Sequence, residues 1–182
     1  AILDSSDFPR DKKILMLEPR RIAARLAAIR IAKERKSVLG QEIGYRVRFE
    51  DKTSKKTRLM IITEGLLTRM MHTDPMLEDV GCVILDEFHE RSIHADLALA
   101  FLKEIQQTVR PDLKIVVMSA TLALESVSKY LSDAPIIDSK GRSFPVENHW
   151  KTGHDERDDL SQCIGMIKRA VQKVPEGDLL VF

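Results

Sequence analysis

Two adjacent carboxylates, Asp86 and Glu87, directly follow the apolar run Val83-Ile84-Leu85. Ligands of open α/β sheets bind outside the carboxyl ends of the strands, which is where these two side chains would stand. One carboxylate there can hold Mg²⁺, usually through water, and the other can orient or deprotonate the attacking water in nucleotide hydrolysis. The alternative is that the pair only opens a helix and complements its dipole.

Three further groups follow apolar runs in the same way. Ser119 and Thr121 offer hydroxyls that could connect a nucleotide site to another element, or could cap the next helix. The paired arginines Arg20 and Arg21 suit phosphate contacts at a helix start. Thr63 could contact a phosphate or only cap a helix. A parallel sheet would bring all four groups to one edge, and four unrelated helix caps would not produce that coincidence.

Short apolar runs that alternate with helical patterns would position these groups. Five runs suit strands buried on both faces, at residues 14–17, 59–62, 82–85, 115–118 and 179–182. Helices are predicted at residues 20–36, 64–72, 92–109, 124–131 and 158–174. In the first helix Ile22, Leu26 and Ile29 recur at helical spacing, which is the pattern of a core-facing stripe. The alternation predicts an α/β fold with a mostly parallel sheet flanked by helices.

Two stretches depart from this alternation. Residues 43–50 suggest an extra strand followed by a polar turn, and residues 144–150 an edge strand. We expect residues 1–150 to form one domain, residues 151–176 a linker and helix, and residues 177–182 the first strand of a second domain.

Charge is distributed unevenly along the chain, although its net value is only +1. Between Arg10 and Arg58 there are 16 Lys and Arg against 6 Asp and Glu, and the remainder carries 13 against 22. A basic block favours contact with nucleic acid, although a solvated helix face gives the same pattern. No run reaches the roughly 20 apolar residues of a membrane span, and no secretory leader is recognisable, so we expect a cytoplasmic protein. His89, His94 and Asp96 do not make a convincing metal cage, which argues against a metalloenzyme.

As a set, these motifs resemble those of the DEAH-box branch of superfamily 2 helicases. Motifs Ia, Ib, II and III of that family are similar to Glu18-Pro-Arg-Arg, Thr63-Glu-Gly, Asp86-Glu-Phe-His and Ser119-Ala-Thr. Residues 44–50, 88–92 and 94–99 resemble the bacterial HrpB group in particular. The resemblance covers nearly the whole chain. It implies a RecA-like domain of the P-loop NTPase fold and an ATP-dependent nucleic-acid helicase, with RNA as the favoured substrate.

The resemblance also implies a role for each motif. Asp86 corresponds to the carboxylate that holds Mg²⁺ through water, and Glu87 to the catalytic residue that activates water. His89, in the same catalytic motif, corresponds to a coupling residue, as do Ser119 and Thr121. The positions that line the nucleic-acid track correspond to Arg20, Arg21, Thr63 and Gly65. The implied cofactors are ATP and Mg²⁺, and the implied partner is single-stranded or partly duplex nucleic acid, RNA rather than DNA.

The chain departs from the family in its phosphate-binding loop. None of its eight glycines is followed by Lys and Ser or Thr, as the pattern G-x-x-x-x-G-K-[ST] requires. We expect this loop and the first strand of the fold to precede the chain, and a second RecA-like domain to follow it, so that the fragment alone hydrolyses ATP negligibly. Two alternatives stay open: a nucleic-acid-binding module without ATPase activity, and another P-loop NTPase such as a non-helicase translocase.

Overall fold

The computed structural model describes most of the chain in two compact units. The described residues are 2–120, 124–139, 141, 145–148, 150, 159–173 and 177–181. The units are Ala1–Asp138 and Ser139–Phe182. The first unit ends at Asp138, before residue 150, where the sequence suggested a domain boundary. The functional assignment of the domains remains a prediction.

A six-stranded sheet forms the centre of the first unit. Its strands are β1 (Lys13–Glu18), β2 (Ile43–Val47), β3 (Glu50–Lys52), β4 (Leu59–Thr63), β5 (Val80–Leu85) and β6 (Lys114–Val117). They lie in the order β3-β2-β4-β1-β5-β6, and every neighbouring pair is parallel except β2 with β3. The predicted α/β fold with a mostly parallel sheet is confirmed.

Helices cover both faces of this sheet. They are α1 (Arg21–Glu34), α2 (Glu64–Thr73), α3 (Ile93–Thr108) and α4 (Leu124–Tyr130). Helix α1 packs against one face, around Ile43 and Ile61, whereas α2 and α3 pack against the other, where Leu67 and Leu102 are fully buried. Because both faces are covered, the central strands β1, β4 and β5 carry continuous apolar runs rather than an alternating pattern.

Helix α1 packs on the sheet chiefly through alanines. Its buried residues are Ala24, Ala28 and Ala32. The side chains of Ile22, Leu26 and Ile29 are 73%, 59% and 40% exposed. The predicted core-facing stripe was therefore wrong. Small side chains at these three positions allow the helix to lie close to the sheet, and of its larger apolar residues only Ile31 is partly buried against the same cluster.

The extra strand predicted at residues 43–50 is an antiparallel hairpin of β2 and β3. Its turn passes through Phe49, whose φ of 70° lies in the left-handed region. Gly44 allows the hairpin to close on itself, since a Cβ at this position would lie 2.4 Å from the carbonyl oxygen of Lys52. A larger residue there would force the backbone apart.

The second unit is described mainly in helix α5 (Asp159–Lys173), which confirms the described part of the helix predicted at residues 158–174. No strand is present at the described residues 145–148, 150 and 177–181, where the sequence suggested two. An extended segment forms a strand only when a neighbour takes up its backbone hydrogen bonds. Across the described part of the chain, every helix is too short or too polar to traverse a bilayer.

Candidate active site

The carboxyl ends of four neighbouring strands meet at one edge of the sheet. The register pairs at this edge are Glu18 with Thr63, Leu17 with Leu85, and Leu85 with Val117. The four groups selected from the sequence therefore leave the sheet side by side. The expectation that a parallel sheet brings them to one edge is confirmed.

Asp86 and Glu87 are fixed to this edge by backbone hydrogen bonds. The Asp86 amide donates to the carbonyl of Leu17 at 3.0 Å, and an Asp86 carboxylate oxygen accepts from the Glu87 amide at 2.8 Å. Glu87 adopts a left-handed φ of 50°, which is uncommon for a residue other than glycine. Residues held in this region concentrate at functional sites.

A 3-10 turn, Phe88–Glu90, follows the carboxylate pair and is anchored to β6. The buried Phe88 donates its amide to the carbonyl of Met118 at 3.0 Å, and Met118 donates its own amide to Leu85 at 2.8 Å. The turn is thus joined by backbone hydrogen bonds to the strand end that carries Ser119.

His89 connects Glu87 with the segment after β6. Its Nε2 lies 3.3 Å from a carboxylate oxygen of Glu87, and its Nδ1 accepts a hydrogen bond from the Ala120 amide at 3.3 Å. Since Nδ1 is an acceptor here, Nε2 carries the proton and faces the carboxylate. The structure therefore brings His89 between Glu87 and the neighbour of Ser119, whereas Thr121 lies outside the described residues.

Glu18 is a further carboxylate of this edge, and the sequence motifs did not single it out as a site residue. Its side chain is buried, with 4% exposure, at the end of β1. Burial raises its pKa to about 7, and the charge of Asp86 and a hydrogen bond with it add to the effect. The available signal was its position, since Glu18 ends an apolar strand just as Asp86 follows one.

The predicted track residues follow β1 and β4, on the same edge of the sheet as the carboxylates. Arg20 forms an ion pair with Glu90 at 2.9 Å, and Arg21 is the exposed first residue of α1. Thr63 stands at the N-cap position of α2, but its hydroxyl caps nothing there, so it does not act as a simple helix cap. Gly65 is exposed, and a Cβ added to it would meet no atom within 4 Å.

The β2–β3 hairpin carries two further arginines. Arg46 bonds to Asp51 at 2.6 Å, which gives it a structural role in the hairpin. The guanidinium of Arg48 lies over the ring of Phe49 at 4.7 Å, and that ring is 89% exposed at the tip. This exposed pair has the chemistry of a base-stacking surface.

Asp86 is the residue that would hold Mg²⁺ in this chain. Glu18 at the end of β1 and Asp86 and Glu87 after β5 bring carboxylates together at two neighbouring strand ends, which suits a divalent cation. Mg²⁺ commonly takes one or two carboxylates and completes its shell with water and phosphate oxygens. Among the described residues, no three His, Cys, Asp or Glu side chains enclose a metal position. The carboxylates thus offer a partial shell that water and a nucleotide would complete.

A parallel RecA-like sheet with this set of motifs at its edge defines a helicase-type NTPase domain. The chain belongs to the DEAD/DEAH box helicase family, whose model matches residues 2–130. It is 46% identical to the ATP-dependent RNA helicase HrpB of Escherichia coli K12 over 172 residues, which cover 93% of this chain and 21% of that protein. It is 41% identical to an ATP-dependent RNA helicase HrpA homolog of Haemophilus influenzae over 167 residues, covering 91% of this chain and 13% of that protein.

Solved structures agree with this assignment. The crystal structure of the E. coli DEAH/RHA helicase HrpB matches with a TM-score of 0.79 at 44% identity, over 92% of this chain and 21% of that chain. A crystal structure of the E. coli DExH-box NTPase HrpB matches with a TM-score of 0.77, also at 44% identity, over 94% of this chain and 21% of that chain. The resemblance to the HrpB group is confirmed, and the chain spans about a fifth of the length of those proteins.

Proposed function

We propose that this chain forms most of the first RecA-like domain of an ATP-dependent RNA helicase. The observation that carries the proposal is the shared edge, on which Asp86 and Glu87 stand beside Arg20 and Thr63. A motor that couples hydrolysis to movement along a strand needs nucleotide-facing and phosphate-facing groups on one rigid body. RNA is preferred to DNA because the two similar proteins are named as RNA helicases.

In the proposed reaction, Asp86 would hold Mg²⁺, and Glu87 would orient the water that attacks the terminal phosphate of ATP. The Glu87 side chain is 47% exposed, so its carboxylate can reach a water while His89 holds it from one side. Phosphoryl transfer depends on positioning and charge neutralisation, and the bound cation would supply the latter. The phosphate-gripping lysine has no counterpart in this sequence and would come from another part of the longer protein.

His89, Ser119 and Thr121 are proposed to couple hydrolysis to movement. Support comes from the hydrogen bond between His89 and the Ala120 amide, which joins the catalytic turn to the end of β6. A change at Glu87 on hydrolysis would therefore reach the segment after β6 directly. The role of Thr121 rests on the family motif alone.

The nucleic-acid track is proposed to pass over Arg20, Arg21, Thr63 and Gly65. Helix N-termini attract phosphates, and both arginines lie at the start of α1. The Arg20–Glu90 pair is on the surface, where such pairs contribute about 0–1 kcal/mol, so a phosphate could displace Glu90. The open space over Gly65 supports close approach of a strand to the α2 backbone. A cytoplasmic location remains a prediction.

A strand-displacement assay on the full-length protein that contains this chain tests the proposal. We expect ATP-dependent separation of an RNA duplex with a single-stranded overhang, and weaker activity on the matching DNA duplex. Glu87→Gln should abolish separation, whereas Glu125→Gln, an exposed carboxylate in the first turn of α4, should not. RNA binding without hydrolysis or separation in the wild type would instead support a binding module.

A further inference from the structure

A buried carboxylate, Glu64, links the start of α2 to the start of α3. Glu64 directly follows Thr63, and its side chain is 8% exposed. One of its carboxylate oxygens accepts a hydrogen bond from the Ser92 hydroxyl, and that hydroxyl oxygen in turn accepts from the Ala95 amide at 3.0 Å. Ser92 is thereby the N-cap of α3 and a partner of α2 at the same time.

Each end of this link adjoins a different part of the proposed site. Thr63 and Gly65, on the proposed track, flank Glu64 in the chain. Ser92 lies two residues beyond the 3-10 turn Phe88–Glu90, which contains the partner of Glu87. The link is therefore a short side-chain connection between the end of β4, which carries Thr63, and the segment that follows the catalytic turn, in addition to the Arg20–Glu90 ion pair from the end of β1.

The surroundings of the link indicate that the Glu64–Ser92 hydrogen bond does more than provide a partner for a buried carboxylate. A carboxylate in the first turn of α2 already gains from that helix's dipole, yet it is directed to the start of a second helix. Arg91, immediately before Ser92, adopts a left-handed φ of 51°. Such a conformation persists only where neighbouring contacts hold it, and the Ser92 hydrogen bonds are such contacts.

We propose that the Glu64–Ser92 hydrogen bond positions the catalytic turn, so that nucleic acid bound at the start of α2 accelerates hydrolysis at Glu87. Glu64 and Ser92 are positioning residues, because neither faces the reacting atoms. This inference rests on the proposed helicase function. It adds to that function the connection by which an occupied track reaches the hydrolytic centre.

Paired variants distinguish a positioning role of this hydrogen bond from an effect on the stability of the fold. Ser92→Gly removes the hydroxyl at little capping cost, since glycine is tolerated at N-cap positions, whereas Ser92→Thr keeps the hydroxyl. Glu64→Met removes the acceptor, whereas Glu64→Gln keeps an acceptor oxygen. Ala98→Gly, at a buried position of α3, weakens that helix without touching the link.

The readout is ATP turnover of the full-length protein, with and without saturating single-stranded RNA. In Ser92→Gly and Glu64→Met we expect the RNA stimulation, measured as the ratio of stimulated to unstimulated turnover, to fall about tenfold. The two conservative variants and Ala98→Gly should keep the stimulation. The double variant Ser92→Gly/Glu64→Met should be no worse than either single one, because both remove the same bond.

Three results would overturn the inference: full stimulation in both disruptive variants, an equal loss in Ala98→Gly, or additive losses in the double variant. These results leave the helicase proposal intact as long as RNA stimulates the wild type. A wild type without RNA-stimulated turnover would overturn both proposals together.

Discussion

Glu18 and Asp86 stand at the ends of adjacent strands, and burial, reinforced by the charge of Asp86, shifts the pKa of Glu18 toward neutral pH. Its pKa is raised from an ordinary value of 4.5 to about 7, chiefly by burial. A carboxyl whose pKa is raised on folding stabilises the fold fully below pH 4.5, and this contribution is lost as the pH rises through about 7. The ionised, buried Glu18 therefore lowers the free energy of unfolding at neutral pH, and a neighbouring cation would reduce this destabilisation.

Glu18→Gln should remove this pH dependence. The free energy of unfolding of the variant relative to the wild type should rise between pH 4.5 and pH 8, by up to about 3 kcal/mol. Urea denaturation of the chain at several pH values, in buffer with a magnesium chelator, measures this difference. A difference that stays constant over that range would show that Glu18 ionises as an ordinary exposed carboxyl does.

Gly65 allows the track to be tested without loss of stability. Because a Cβ at this position meets no neighbour and alanine favours the helix, Gly65→Ala should stabilise the chain by up to about 1 kcal/mol. If a strand passes close to the α2 backbone, the same methyl group should weaken RNA binding several-fold. Fluorescence anisotropy with single-stranded RNA on the full-length protein measures the second effect.

Gly141→Ala is the matched control, since Gly141 also has open space around a Cβ and lies in the second unit. It should leave RNA binding unchanged. Equal binding by wild type and Gly65→Ala would remove Gly65 from the track.

At the scale of elements, helix α1 shows where periodicity misleads. Hydrophobic spacing favoured Ile22, Leu26 and Ile29 as the core face, but the structure buries the alanines instead. Alanine is only weakly hydrophobic and contributes little to a hydrophobic pattern. Only a small side chain fits, however, where a helix lies close to a sheet. The strands of the parallel sheet were predicted well because short, continuous apolar runs bounded by polar residues are typical of strands buried on both faces.

Paired substitutions in α1 test this packing. Ala28→Leu should destabilise the chain by about 1–3 kcal/mol, because the fully buried site has no room for three more carbon atoms. Leu26→Ala, at a side chain 59% exposed, should change stability by about 0.5 kcal/mol or less. Alanine and leucine are both good helix formers, so the comparison isolates packing. The reverse ranking in thermal or urea denaturation would instead place Leu26 on the core face of this helix.

At the scale of the whole molecule, the sequence predicted that the candidate site residues follow successive strands, and the parallel order places those strand ends together. It could not predict Glu18 as part of the site or the Glu64–Ser92 link, because both depend on which strand neighbours which. The order β4-β1-β5-β6 places the end of β1 between the proposed track and the proposed catalytic pair. This arrangement is the reason that one motif, Glu18-Pro-Arg-Arg, supplies both a carboxylate hydrogen-bonded to Asp86 and an arginine paired with Glu90 of the catalytic turn.

The central claim is that Glu87 serves an RNA-stimulated ATPase, and the direct test is the ATP turnover of the full-length protein with and without single-stranded RNA. We predict that RNA accelerates the wild type and that Glu87→Gln lowers the stimulated turnover roughly hundredfold or more while RNA binding persists. Glu125→Gln should match the wild type, and the 182-residue chain alone should be silent, because its sequence lacks the phosphate-binding loop. Stimulated turnover that survives Glu87→Gln would contradict the claim.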